Sequence, residues 1–151
     1  MRCSFVVLGL PAPQGSKRFV GVSASGKGLM VEASKKVAPW REVVHTTAQL
    51  IRARDGLRAP MDGPLRARIV FTLPKPVAAS KKRPAWPLRS PDLDKLCRST
   101  LDALTTSGLI ADDARIVEFA RLAKVYPGED PEALSSPGAR IEVELIDLSW
   151  R

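Results

Sequence analysis

Soft metal ligands are nearly missing from this sequence. It has two cysteines, Cys3 and Cys97, and one histidine, His45. No CxxC pair occurs, so neither a zinc site nor a disulfide scaffold is supported, and a reducing cytoplasm is the default compartment. No apolar stretch is long enough to span a bilayer. No Walker A or GxGxxG phosphate loop appears, so no nucleotide cofactor is expected. The short apolar run in Met1–Leu10 lacks a small-residue cleavage pattern and gives way to Pro11, Pro13 and Gly15. A first β-strand explains it better than a signal peptide.

Positive charge is abundant. Twenty-four Lys and Arg against sixteen Asp and Glu give a net charge of +8, which suits a polyanionic partner, nucleic acid above all. A basic surface kept for solubility is the plainer alternative. A length of 151 residues with a 44% hydrophobic fraction fits one globular domain spanning 1–151.

Patterning supplies the elements. "CSFVVLGL" reads as a strand stopped by "PAPQGSK", and "RFVGV" and "GLMVE" flank a turn-rich "SASGKG" as a hairpin. From Pro39 the period changes: Trp40, Val43, Val44, Thr47 and Ile51 recur at helical spacing, and Gly56 suits the end. His45 falls inside that helix beside Val44 and reads as structural or exposed rather than catalytic. "LRARIVFTL" alternates as a strand. Prolines at 74, 76, 84, 87 and 91 then break "PKPVAASKKRPAWPLRSP" into a basic, proline-rich loop, about 74–91, with Trp86 inside it. Such a loop suits a backbone clamp with a base-stacking aromatic, or equally a solvated loop whose Trp86 folds back on the body.

A second helix carries Leu93, Leu96, Cys97, Thr100, Leu101 and Leu104 on one face and stops at Gly108. "RIVEFARLAKVY" reads as a strand with Val117, Phe119, Ala123 and Val125 on one side, and "RIEVELIDL" as a last strand. Two helices with more strands predict an α+β fold, a mixed or antiparallel sheet packed with two main helices.

Carboxylates gather around the second helix. Asp92 follows Pro91 at the N-cap position, and Asp94 stands in the first turn. A cap is worth roughly 1 kcal/mol and acids suit a helix N-terminus, so structure alone explains them. Two carboxylates there also suit a hard cation such as magnesium, which takes oxygen ligands and keeps waters. Asp94, Arg98 and Asp102 share a face at i, i+4 and i+8, either as an ion-pair ladder or with Arg98 beside a phosphate. Asp112 and Asp113 suit a turn, yet adjacent acids repel unless a cation offsets them.

The segment "PDLDKLCRSTLDALTTSGLIADDARIVEF", Pro91 to Phe119, resembles the signature of the RusA family of Holliday junction resolvases. Asp92, Leu93, Asp94, Leu96, Leu101, Asp102, Ala103, Leu104, Gly108, Asp112, Asp113 and Ile116 fall in register with it, and Lys124 matches a lysine ending the next strand. The resemblance implies a RusA-like fold and a Mg²⁺-dependent endonuclease, with Mn²⁺ a plausible substitute. It implies a homodimer making paired nicks in four-way DNA junctions. It places metal-binding carboxylates at Asp92, Asp94 and Asp113, with Asp102 and Asp112 in support. Two positions depart from the pattern: Arg98 stands where the family has its catalytic lysine, and Lys95 where it has asparagine. Arg98 keeps the charge, and Lys95 is placed to assist it. Candidate DNA contacts are Lys17, Arg18, Lys35, Lys36, Lys81, Lys82, Arg83 and Arg89, with Trp86 for stacking. The rival readings are a catalytically weak protein that binds branched DNA, and a metal-dependent nuclease for other DNA structures.

Overall fold

Cys3, Phe5 and Val7 alternate with exposed neighbours, so the first strand, β1 (Arg2–Leu8), buries one face only. The computed structural model describes residues 1–15, 17–22, 28–32, 35–78 and 85–149. Within them β1 pairs antiparallel with β6 (Gly138–Leu145), and β6 pairs antiparallel with β4 (Leu65–Thr72). β4 lies parallel to β5 (Ile116–Val125), which completes a mixed sheet in the order β1-β6-β4-β5. A parallel pair needs a long crossover, and here it contains the helix α2 (Leu93–Thr106). The α+β expectation holds. Lys17–Val22 and Gly28–Glu32 form the expected hairpin, β2 and β3, as a separate two-stranded sheet.

The helix α1 (Val37–Arg54) starts two residues before Pro39, which therefore sits in the first turn, where a missing N–H costs little. Its buried stripe is Val37, Trp40, Val44, Ala48 and Ile51. Trp40 joins the layers: its ring lies 6.5 Å from that of Phe71 on β4, and its Nε1 donates to Thr100 Oγ1 of α2 at 3.1 Å. A buried indole N–H thus has its partner. α2 ends in a Schellman arrangement, with Leu109 N donating to Leu104 O and Gly108 N to Thr105 O. Gly108 takes a φ of +78° there.

The opposite sheet face is ionic. Arg2 pairs with Glu144 at 2.8 Å, and Arg66 pairs with both Glu144 and Glu118. Exposed pairs of this kind add little stability; they keep that face wet and leave the helix side as the core.

The expectation for β5 is corrected. Val117, Phe119, Ala123 and Val125 do not share a side, because two bulges shift the register against β4. Phe119, between the bulges, and Leu122 and Lys124, after both, stand opposite Ala67, Ile69 and Phe71 on the helix side, while Ala123 stands opposite Val70 on the other. Each bulge changes the parity of the strand. The second undoes the first, so Lys124 falls on the same side as Ile116, and its Nζ reaches the carbonyls before α2.

Residues 74–78 and 85–91, the described parts of the basic loop, carry no helix or strand. Glu129 joins these two parts: its carboxylate accepts from Lys75 Nζ and from the backbone N–H of Ala85. Both bonds hold its pKa below the usual carboxylate value.

Candidate active site

Asp92 occupies the N-cap of α2 with extended backbone angles, φ −70° and ψ 139°, yet its side chain caps nothing. Capping therefore does not account for this carboxylate. It is about half exposed and lies 3.4 Å from Lys95 Nζ, among the described residues the one ion pair on α2. The ladder from Asp94 through Arg98 to Asp102 is likewise not formed.

What fixes Asp92 lies outside the helix. Lys124 Nζ donates to the carbonyls of Arg89 and Pro91, each at 2.9 Å. A cation on two backbone acceptors holds the residues just before Asp92 against the end of β5. The turn after β1 packs along α2. Ser99 Oγ donates to Ala12 O at 2.6 Å, and Gln14 N donates to Lys95 O at 3.0 Å. Gln14 Nε2 donates to Asp102 Oδ2 at 2.5 Å. Gly15 has φ +109°, and a Cβ there would stand 2.8 Å from Arg98 Nη1. The backbone conformation requires glycine there, and Arg98 lies close enough that any side chain would displace its guanidinium.

Asp112 and Asp113 enter from the other end. Met61 N donates to Leu109 O, and Ala111 N donates to Met61 O. Arg115 then pairs with Asp62 at 2.6 Å, which anchors the short 3-10 turn Asp113–Arg115. Asp112 accepts from Ala114 N at 2.8 Å, and this bond lowers its pKa. Asp113 shifts the opposite way. Sharing a hydrogen bond with Asp112 raises its pKa most, followed by burial and the charges of Asp112 and Asp102. Cys97 feels the same field: burial first, then Asp94 and Asp113, push its thiol up to about 11. Asp94, Asp102, Asp112 and Asp113 therefore form one negative region beside α2.

These are hard oxygen donors under mutual repulsion, which fits a magnesium-like cation. Among the described residues, no three His, Cys, Asp or Glu side chains are gathered as a metal-holding group. Magnesium needs no such cage, since it commonly takes one or two carboxylates, waters and substrate phosphate. Both acidic pairs fit that demand.

Residues 9–144 match the family model described as Endodeoxyribonuclease RusA. The chain belongs to the RusA family. It is an endodeoxyribonuclease by that membership, in a family of Holliday junction resolvases acting on branched DNA. No curated protein matches the sequence.

On this RusA fold the candidate DNA contacts are spread. Lys35 and Lys36 are exposed just before α1, and Arg89 is exposed in the loop before α2. Trp86 is 62% exposed, so it does not fold back on the body. Lys17 and Arg18 lie in β2. Lys81, Lys82 and Arg83 lie outside the described residues. Sequence reasoning missed Gln14, Gly15 and Glu129. The first two sit in a turn whose prolines announce only irregularity, and nothing local signals that Gln14 meets a residue 88 positions away.

Proposed function

We propose that this chain resolves four-way DNA junctions by paired, divalent-metal-dependent nicks, acting as a homodimer of one nuclease domain over residues 1–151. The supporting observation is the negative region of Asp94, Asp102, Asp112 and Asp113 beside α2, together with Asp92 at the helix start, whose side chain caps nothing. Asp92, Asp94 and Asp113 would hold Mg²⁺, with Mn²⁺ able to replace it. A divalent cation held by these carboxylates would supply Lewis acidity at the scissile phosphate and an activated water.

The remaining work belongs to the chain. Arg98, backed by Gly15, stabilises charge on the phosphoryl oxygens, and it does so as a permanent cation rather than as a base. Lys95 tempers the charge of Asp92 from one helical turn away. Gln14 orients Asp102, and Lys124 fixes the approach to Asp92. Lys17, Arg18, Lys35, Lys36, Lys81, Lys82, Arg83 and Arg89 offset the DNA backbone, so affinity falls as salt rises. Trp86 offers an exposed ring for stacking. Two copies related by a two-fold axis supply the two cuts, and exposed Val117 and Phe119 on the outer strand β5 offer apolar surface for pairing. A reducing, cytoplasmic setting accords with two free cysteines.

A second reading has one observation in its favour. With arginine where the family has its catalytic lysine, at 98, the protein binds junctions and cuts them poorly.

The deciding experiment is cleavage of a labelled four-way junction in Mg²⁺ or EDTA by wild type, Asp94→Asn and Arg98→Lys. The expected result is paired nicks in Mg²⁺, lost with EDTA and with Asp94→Asn while binding persists. Junction binding without any cut, on this or on duplex and flap substrates, leaves the second reading standing. Arg98→Lys then reports whether the missing lysine is the cause.

A further inference from the structure

A cavity of about 470 Å³ opens beside the start of α2, and the mechanism above does not use it. Pro11 and Pro13 of the turn after β1 line it, as do Pro87 and Pro91 of the basic loop and Tyr126 just beyond β5. Rigid proline C–H faces and a phenol ring make surfaces on which a flat π system can lie. Lys36 and Arg89, both exposed, also line it, and among the described residues no Asp or Glu does. The interior is therefore apolar and its mouth cationic.

Its position is more telling than its size. Pro91 is bonded directly to Asp92, and Pro13 directly to Gln14, whose amide holds Asp102. Lys124 binds the carbonyls of Arg89 and Pro91, so the cavity wall and the approach to Asp92 are one braced segment. A nucleotide next to a phosphate held at Asp92 would lie near the cavity, because Pro91 both lines it and precedes Asp92.

We infer that this cavity receives one nucleobase of the substrate, extruded from the stack beside the phosphate to be cut, with Lys36 and Arg89 on the flanking backbone. The inference rests on the nuclease reading above and adds to it a determinant of where cutting occurs. Extrusion costs a few kcal/mol in a continuous duplex and least where stacking is already broken, as at a branch point. A pocket beside the chemistry thus favours branched DNA over plain duplex. Ser90 also lines the cavity, and its hydroxyl can contact the edge of the base. A peptide or lipid occupant has no comparable claim, because neither explains cations at the mouth together with adjacency to the acidic region.

The test uses the full chain with four-way junctions carrying 2-aminopurine at each position within two nucleotides of the nick, read in EDTA so that binding proceeds without cutting. One position should brighten several-fold on binding and resist quenching by acrylamide. Tyr126→Phe should keep both signals, and Tyr126→Ala should lose them and flatten the base preference of nicking in Mg²⁺ by about tenfold. If no position brightens while the same junction is bound and nicked, the pocket inference falls and the resolvase reading survives. A brightened base that acrylamide quenches as readily as free probe also overturns it, since that base lies in solvent. This wild-type measurement decides the matter even if Tyr126→Ala does not fold. Failure of wild type to bind any junction removes both readings at once.

Discussion

Gln14 Nε2 meets Asp102 Oδ2 at 2.5 Å, across 88 residues of sequence. The other amide atom, Oε1, is buried without a partner among the described residues. One side chain thus ties the turn after β1 to the acidic face of α2. Gln14→Ala releases Asp102 into a region where its charge already acts on Asp113. The expected result is a Mg²⁺ requirement for nicking raised by about 10- to 100-fold, the usual cost of losing a residue that orients a metal-site carboxylate. Gln14→Glu should do worse, since it sets a second carboxylate against Asp102. A Mg²⁺ titration of nicking checks both; equal titration curves would sink the claim.

Asp92 and Asp112 make opposite predictions for stability. Asp92→Ala removes no capping bond, so its unfolding free energy should stay within about 0.5 kcal/mol of wild type even as nicking disappears. Asp112→Ala removes the bond from Ala114 N and should destabilise the protein more. Urea unfolding of the two variants compares them directly, and a larger loss for Asp92→Ala contradicts the geometry.

Lys124→Met deletes a cation shared by two carbonyls. Bonds from charged donors contribute about 1.5–3 kcal/mol when shielded, and partial exposure here puts the expected loss near 1 kcal/mol. Nicking should fall further than stability, because the residues preceding Asp92 lose their brace. Lys124→Arg tests whether charge alone suffices; it should restore stability and only part of the rate.

Asp130 governs an acid transition far from α2. Its hydrogen bond from Arg121, then that from the Glu132 N–H, lowers its pKa to about 2. A depressed carboxyl pKa contributes stability above its unfolded value and loses it as pH falls through the folded value. Asp130→Asn should therefore be less stable than wild type near neutral pH, and the gap should close as pH falls from about 4 to about 2. Denaturant titrations at both ends of that window measure it.

The sequence made some of this visible and hid the rest for physical reasons. Trp40, Val44 and Ile51 announced α1 because burial repeats every three to four residues, and Gly108 marked the end of α2 because the chain must turn left-handed there. Asp94, Asp102, Asp112 and Asp113 could be grouped from spacing and resemblance. The faces of β5 could not, since a bulge adds a residue without any compositional mark and reverses every side chain after it. The lack of a side-chain cap at Asp92 was also hidden: aspartate suits a cap and a cation equally well, and only the placed carboxylate separates the two. Contacts such as Gln14 to Asp102 depend on how two loops pack, which no local pattern encodes.

The double anchor at Glu129 bears on how this chain can vary. Lys75 and Ala85 are tied to the same carboxylate, so the points where this segment leaves and rejoins the body are held together. Lengthening a flexible loop adds closure entropy slowly, about 0.6 kcal/mol per doubling. The segment can therefore be exchanged, extended or recharged as a cassette, retuning the preferred DNA while the acidic region beside α2 stays in place.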